Sequence, residues 1–234
     1  MNVLSSAETR KLYNRIAGVY DLCLKAFNAV GTNRWRSQLV AHLQIKPGDH
    51  VVDLCAGTGA NLPYLAEKLG AQGKLTLVDL SEGMLTKAKE CAERLGLTDV
   101  EIVQMDVNEF RFPPKVDAII STFGLEMVPA YPAIIEWAVA SLQPDGRIGL
   151  LGLKHPENWP DWLIGVGIFL TKPFAVSRDY EAFRPWIAAR SFMDEQWFKQ
   201  HLAGAAYSFV GQKKAVEPQT IHQSTLAKTH SSSQ

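Results

Sequence analysis

From His50 to Leu153, short apolar runs alternate with longer amphipathic segments, and this alternation constrains the chain more than any other feature. "HVVDLCA", "KLTLVDL", "VEIVQMD", "VDAIIST" and "RIGLLGL" have the length and composition of buried strands, while "ANLPYLAEKLG", "SEGMLTKAKECAERLG" and "YPAIIEWAVASL" place apolar residues at helical spacing, the second with Ser81 as its cap. Strands and helices in this rhythm build right-handed βαβ units. The expected class is therefore α/β, a doubly wound, mostly parallel sheet covered on both faces. Two helices precede it, in Ala7 to Ala29 and "TNRWRSQLVAHL", and "KPGD" stops the second. After the last of these strands the rhythm breaks into an aromatic- and proline-rich insertion, followed by "DEQWFKQHL", read as a helix, and "AAYSFVGQ", read as a final strand. The expected division is residues 1–46 for the N-terminal helices, 47–154 for the α/β core, 155–193 for the insertion, 194–214 for a helix and strand completing the core, and 215–234 for a polar tail.

At 234 residues, 47% of them hydrophobic, the chain can bury one large core. Lysine plus arginine balances aspartate plus glutamate at 24 each, which argues against nucleic acid as a partner. A local excess does occur near the start, where seven basic residues through Lys46 stand against Glu8 and Asp21. The three cysteines, Cys23, Cys55 and Cys91, lack any Cys-x-x-Cys spacing, which points to a reducing compartment and to no metal. The first residues contain no apolar stretch of a signal peptide, and "WLIGVGIFL" is far short of the roughly 20 residues that span a bilayer. A cytoplasmic location is expected, with at most peripheral membrane contact.

The first strand runs into "VVDLCAGTGAN", Val51 to Asn61, where an acid is followed by two glycines spaced Gly-x-Gly. In an open parallel sheet, ligands bind beyond the carboxyl ends of the strands, where the strand order reverses. Gly57 and Gly59 allow positive φ and close backbone approach to a ligand. A phosphate-binding P-loop needs a lysine after the glycines, and none follows. A dinucleotide turn wants a third glycine where Leu62 stands, so NAD is disfavoured. S-adenosylmethionine has no phosphate and carries an ammonium group, which a carboxylate in the turn suits. Asp53 supplies that carboxylate. Asp79, about twenty residues on at the end of the second strand, can accept both ribose hydroxyls. Asp106, after the third strand, can accept from the adenine amino group while Val107 offers a backbone N–H. Each acid has the plain alternative of a helix cap or loop end, which for Asp106 alone reads equally well, but three at the ends of consecutive strands point to a site.

These residues resemble the class I S-adenosylmethionine-dependent methyltransferases, with "VVDLCAGTG", "LVDLSEGML", "QMDVNEF", "VDAIISTFGL" and "LQPDGRIGLL" matching successive motifs in order between Tyr13 and Leu153. The resemblance implies a Rossmann-like methyltransferase fold of the seven-stranded type, an N-terminal helical lid, an acceptor-binding insertion, and a donor site that includes Ala56, Leu80, Met84 and Ser121. "YNRIAGVYD" and "STFGLEMV" are similar to segments of the ubiquinone/menaquinone C-methyltransferases and the bacterial phosphatidylethanolamine N-methyltransferases. In those enzymes a tyrosine segment closes over the cofactor, and Tyr13 and Tyr20 are the matching positions. The chain departs from the quinone enzymes after Phe198, where no second strand before the last is evident, and the final strand is closer to the lipid-amine branch.

Methyl transfer is an in-line displacement that positioning and desolvation can accelerate without a metal. An amine or hydroxyl acceptor also needs a base, for which Glu126, His155, Tyr20 and Tyr180 are the candidates. Phe123, Gly124 and Leu125 should wall the methyl group, and Trp159, Tyr180 and Arg184 of the insertion should touch the acceptor. The insertion reads equally as a lid, an interfacial element or a plain helical cap. The leading expectation is methylation of an apolar or amphiphilic small-molecule or lipid-like acceptor, first an amine (a lipid headgroup or small natural product), then a quinol ring carbon. A non-catalytic S-adenosylmethionine-binding protein, a nicotinamide oxidoreductase and an RNA methyltransferase are the rivals.

Overall fold

The computed structural model describes residues 4–29, 31–157, 159–171 and 182–214. In chain order the elements are α1 (Ser6–Ala29), α2 (Thr32–Leu43), β1 (His50–Leu54), α3 (Leu62–Leu69), β2 (Lys74–Asp79), α4 (Glu82–Arg94), β3 (Val100–Gln104), β4 (Val116–Thr122), α5 (Tyr131–Ser141), β5 (Leu142–Leu153), α6 (Asp161–Thr171), α7 (Pro185–Phe192), β6 (Met193–His201) and β7 (Ala206–Lys213). The strands form one seven-stranded sheet in the order β3-β2-β1-β4-β5-β7-β6. The pairs β1–β2, β2–β3, β1–β4 and β4–β5 are parallel, whereas β7 is antiparallel to both β5 and β6.

Period-2 alternation sends strand residues to two cores. Val51, Leu75, Leu77, Ala118, Ile120 and Val210 pack under α2, α3 and α4. Val52, Leu54, Ile119, Ile148, Leu150 and Phe209 pack under α5 and α7. Leu39, Leu62, Leu65, Leu69 and Ile134 are each 0% exposed, and full burial of such a side chain is worth about 1.5–3 kcal/mol. The sheet is thus covered on both faces, and its order reverses between β1 and β4. A ligand crevice is expected at that reversal.

One expectation is corrected. "DEQWFKQHL" is no helix, because Met193–His201 pairs along β7 from Met193↔Lys213 to His201↔Ala206. The register shifts between Glu195 and Trp197, so simple alternation is lost. Adjacent Trp197 and Phe198 pack against opposite cores, and Trp197 stacks on His42 at 4.1 Å. Cross-strand bonding and two-sided cover override the helix-forming Glu, Gln and Lys. The second strand whose absence set the chain apart from the quinone enzymes is therefore present. Within the insertion, α7 packs on the sheet, with Trp186 buried and its ring 4.3 Å from that of Tyr207. No helix among the described residues is long and apolar enough to cross a membrane.

Candidate functional site

At the reversal point, the end of β1 turns sharply. Cys55, Gly57 and Gly59 all have positive φ, at 56°, 56° and 79°. The two glycines serve different ends. A Cβ on Gly59 would lie 2.6 Å from Leu62 Cδ1 and 3.2 Å from Ala88 Cα, so this glycine lets α3 and α4 close on the turn. A Cβ on Gly57 would meet nothing within 4 Å, and its bare backbone faces a cavity. This open cradle fits a ligand pressed against main chain.

The same cavity gathers Tyr13 from α1, Ala56 and Gly57 from the turn, Asp79, Leu80 and Met84 after β2, Asp106 and Val107 after β3, and Phe123 and Gly124 after β4. Asp79 accepts the Gly57 N–H with Oδ2 and the Ser81 N–H with Oδ1, both at 2.8 Å, and burial raises its pKa. Its carboxylate is thereby fixed at the end of β2. Asp106 Oδ1 accepts from the backbone and side-chain N–H groups of Asn108, at 2.9 and 2.7 Å. Asn108 also lines the cavity, and its Oδ1 is buried without a hydrogen-bond partner. An adenine amino group would satisfy it.

Several expected residues lie elsewhere. Asp53, expected to hold the donor's ammonium, is fully buried beneath the turn, and both its oxygens accept from Asn61 Nδ2, at 3.1 and 3.0 Å. Burial pushes this carboxyl up to about 7, while Asn61 and the Arg36 guanidinium pull the other way. Asn61 Oδ1 in turn accepts from Thr122 Oγ1 at 3.2 Å, so the acid braces the ends of β1 and β4. Ser121 is buried on the α5 side of β4, because strand alternation gives the cavity to its neighbour Thr122. Leu125 packs into the core under α5. His155, Trp159 and Arg184 follow β5 and do not line the cavity; Arg184 caps α7, and its N–H donates to Tyr131 Oη at 3.2 Å. Tyr180 and the side chain of Tyr20 fall outside the described residues.

Sequence reasoning missed Arg36. It is 3% exposed on α2, lines the cavity, and sits 5.1 Å from the centroid of the Phe123 ring. It is a buried cation at the cavity, suited to the carboxylate of an amino-acid ligand. Asn61 and Asn108 were missed as well. Among the described residues no cluster of His, Cys, Asp or Glu is placed to hold a metal ion.

Glu126 stands behind the cavity wall instead of in it. Its carboxyl occupies the room left by Gly152, where a Cβ would lie 2.7 Å from Cδ, and Oε1 accepts the Leu153 N–H at 3.2 Å. Burial pushes its pKa up to about 7, against partial relief from backbone N–H groups. The folded chain therefore keeps a proton that the unfolded chain releases near 4.5, so stability falls as pH rises from about 4.5 to 7 and then levels off. Glu126→Gln should abolish this loss, leaving the variant more stable than wild type at pH 8 by on the order of 3 kcal/mol and nearly equal at pH 5. Melting temperatures across that range test it. A variant less stable at pH 8 would mean that the folded chain uses the ionised carboxylate.

Residues 51–146 match the family described as a methyltransferase domain. The demethylmenaquinone methyltransferase of Listeria welshimeri is 27% identical over 163 residues, covering 69% of this chain and 69% of the relative. The same-named enzyme of Bacillus cereus is 30% identical over 146 residues, covering 62% of each chain. Among solved structures, an S-adenosylmethionine-dependent methyltransferase from Aquifex aeolicus superposes with a TM-score of 0.55 at 17% identity, covering 90% of this chain and all of that one. The geranyl diphosphate C-methyltransferase of Streptomyces coelicolor, solved with S-adenosylhomocysteine, gives 0.60 at 15% identity, covering 77% and 76%. Residues 51–146 are thus a methyltransferase domain carried on a sheet that superposes on solved methyltransferases, and the chain is an S-adenosylmethionine-dependent methyltransferase that resembles the class I enzymes and, among them, the menaquinone methyltransferases.

Proposed function

We propose that the protein methylates a ring carbon of an apolar quinol, of the kind that the demethylmenaquinone methyltransferases are named for. The observation that carries this is the character of the acceptor side of the cavity. The segment after β4 lines it with Phe123, Gly124, Met127, Val128 and Pro129, none of them charged, and Leu4 adds apolar surface, which suits contact with a flat aromatic ring. An amine headgroup would need a carboxylate there, and Glu126 is withdrawn behind the wall. The quinol thus moves ahead of the amine.

When bound, S-adenosylmethionine supplies an electrophilic methyl group on a sulfonium. The protein's own part is to hold and to exclude water. In this reading Asp79 takes the ribose hydroxyls, Asp106 and Asn108 the adenine edge, the Val107 N–H a ring nitrogen, and Arg36 the methionine carboxylate. Phe123 and Gly124 press the acceptor ring toward the methyl group, so that orientation and desolvation carry the rate. Tyr13 closes the donor side from above. On α6, Trp162 is 70% exposed and Val166 45% exposed, which supports an acceptor collected from a lipid surface.

The test supplies labelled S-adenosylmethionine together with a dithionite-reduced demethylated prenyl naphthoquinol, either in phosphatidylglycerol vesicles or in detergent, and phosphatidylethanolamine vesicles in parallel. Label is expected in the quinol, faster from vesicles. Label in phosphatidylethanolamine alone would return the amine reading. Donor binding with no label in either probe would favour a non-catalytic binder, and equal rates from vesicles and detergent would remove the lipid surface from the reading.

A further inference from the structure

The helix α1 crosses the mouth of the cavity and is fastened on both banks. Toward β4, Tyr13 Oη donates to Met127 Sδ at 3.7 Å. Toward β2, Asn14 Oδ1 accepts from Ser81 Oγ at 2.6 Å and from the Gly83 N–H at 3.2 Å. Between these anchors Leu4, Thr9, Arg10 and Tyr13 roof the cavity.

Close approach on the β2 bank depends on a missing side chain. A Cβ on Gly83 would stand 3.2 Å from Ala17 Cβ and 3.6 Å from Asn14 Cα, and Ala17 is only 5% exposed. Ser81 is more than an anchor. Its Oγ accepts the Met84 N–H and so caps α4, while its own N–H donates to Asp79 Oδ1, whose other oxygen holds Gly57. Asn14, Ser81, Asp79 and Gly57 thus form one hydrogen-bonded chain from the roof to the floor of the cavity.

We propose that Asn14 is a latch, a positioning residue that holds α1 shut over the bound donor through Ser81 and Gly83. The inference rests on reading this cavity as the donor site. Ligand contacts with Tyr13 and Arg10 exist only while α1 is down, so apparent affinity scales with the closed fraction. Asn14→Ala removes both acceptor bonds and leaves every cavity-lining side chain in place. Asn14→Asp keeps both acceptors and places its charge by the positive end of α4.

Calorimetry with S-adenosylhomocysteine and tryptic cleavage at Arg10, Lys11 and Arg15 of α1 read the latch without any acceptor. In wild type, S-adenosylhomocysteine is expected to slow cleavage at these sites. Asn14→Ala should bind about tenfold more weakly and lose that protection, whereas Asn14→Asp should stay within about threefold of wild type and keep it. Gly83→Val, which pushes α1 away without touching the hydrogen bonds' acceptor, should reproduce the alanine result. A folded Asn14→Ala chain with wild-type affinity and protection, or Gly83→Val with both unchanged, overturns the latch. A wild-type protein that binds no S-adenosylhomocysteine overturns the donor-site reading instead.

Discussion

Gly124→Ala is expected to lower the melting temperature by about 10 °C and to abolish measurable donor binding. A Cβ at this position would lie 2.3 Å from Cys55 Cβ and 3.1 Å from its Sγ, deep inside contact distance. Both residues belong to turns that line the cavity, one after β1 and one after β4. Relief requires one turn to move by about an ångström, and overpacking of a well-filled core costs about 1–3 kcal/mol or more. For a chain of this size each kilocalorie is worth about 2–4 °C. The clash is with Cβ itself, which sets a sharp control. Cys55→Gly in the same chain should restore stability and binding, helped by the positive φ that Cys55 adopts, whereas Cys55→Ser should not. Equal rescue by serine would show that the defect lies outside this contact.

The second large effect concerns Asp79. Asp79→Asn is expected to weaken donor binding by about a hundredfold, from the loss of charge-assisted hydrogen bonds worth about 1.5–3 kcal/mol each. The carboxylate now accepts from two backbone N–H groups on opposite sides. An amide offers one oxygen, so one N–H must face an NH₂ group and the turn loosens as well. Because burial raises the Asp79 pKa, wild-type affinity should decline on acidification sooner than for an ordinary aspartate, and the variant should lack that decline. Calorimetry at several pH values measures both. Retained affinity in the variant would remove Asp79 from the donor site.

How much of this was legible in the sequence follows from the range of each interaction. β1, β2 and β4 are recorded locally, as apolar runs closed by Asp53, Asp79 and Thr122, and the glycine turn carries its own spacing. Asp79, Asp106 and Phe123 could be placed because strand ends in a parallel sheet converge on one rim. Asp53 was placed on the rim by the same logic and lies beneath it, because Asn61 turns back to it instead of capping α3. That bond closes a fold within the turn and has no periodic trace. Arg36 reaches the cavity from a helix that precedes the first strand, a contact set by how α2 packs under β5 and β7. β6 was missed for the opposite reason, since its local signal is present but points to a helix until β7 is there to pair with it.

That edge strand also governs how the molecule meets its own copies. β6 ends the sheet on one side, and an edge of unpaired backbone groups invites a second sheet to join it. Here the shift at Glu195 and Trp197 kinks the outer row of backbone donors and acceptors, and Asp194, Glu195 and Lys199 stand along the same strand. A partner strand would find its register broken after the three residues Met193 to Glu195 and its path crossed by charge. The irregularity that hid β6 from periodicity is therefore also of the kind that disfavours addition of another strand at that edge.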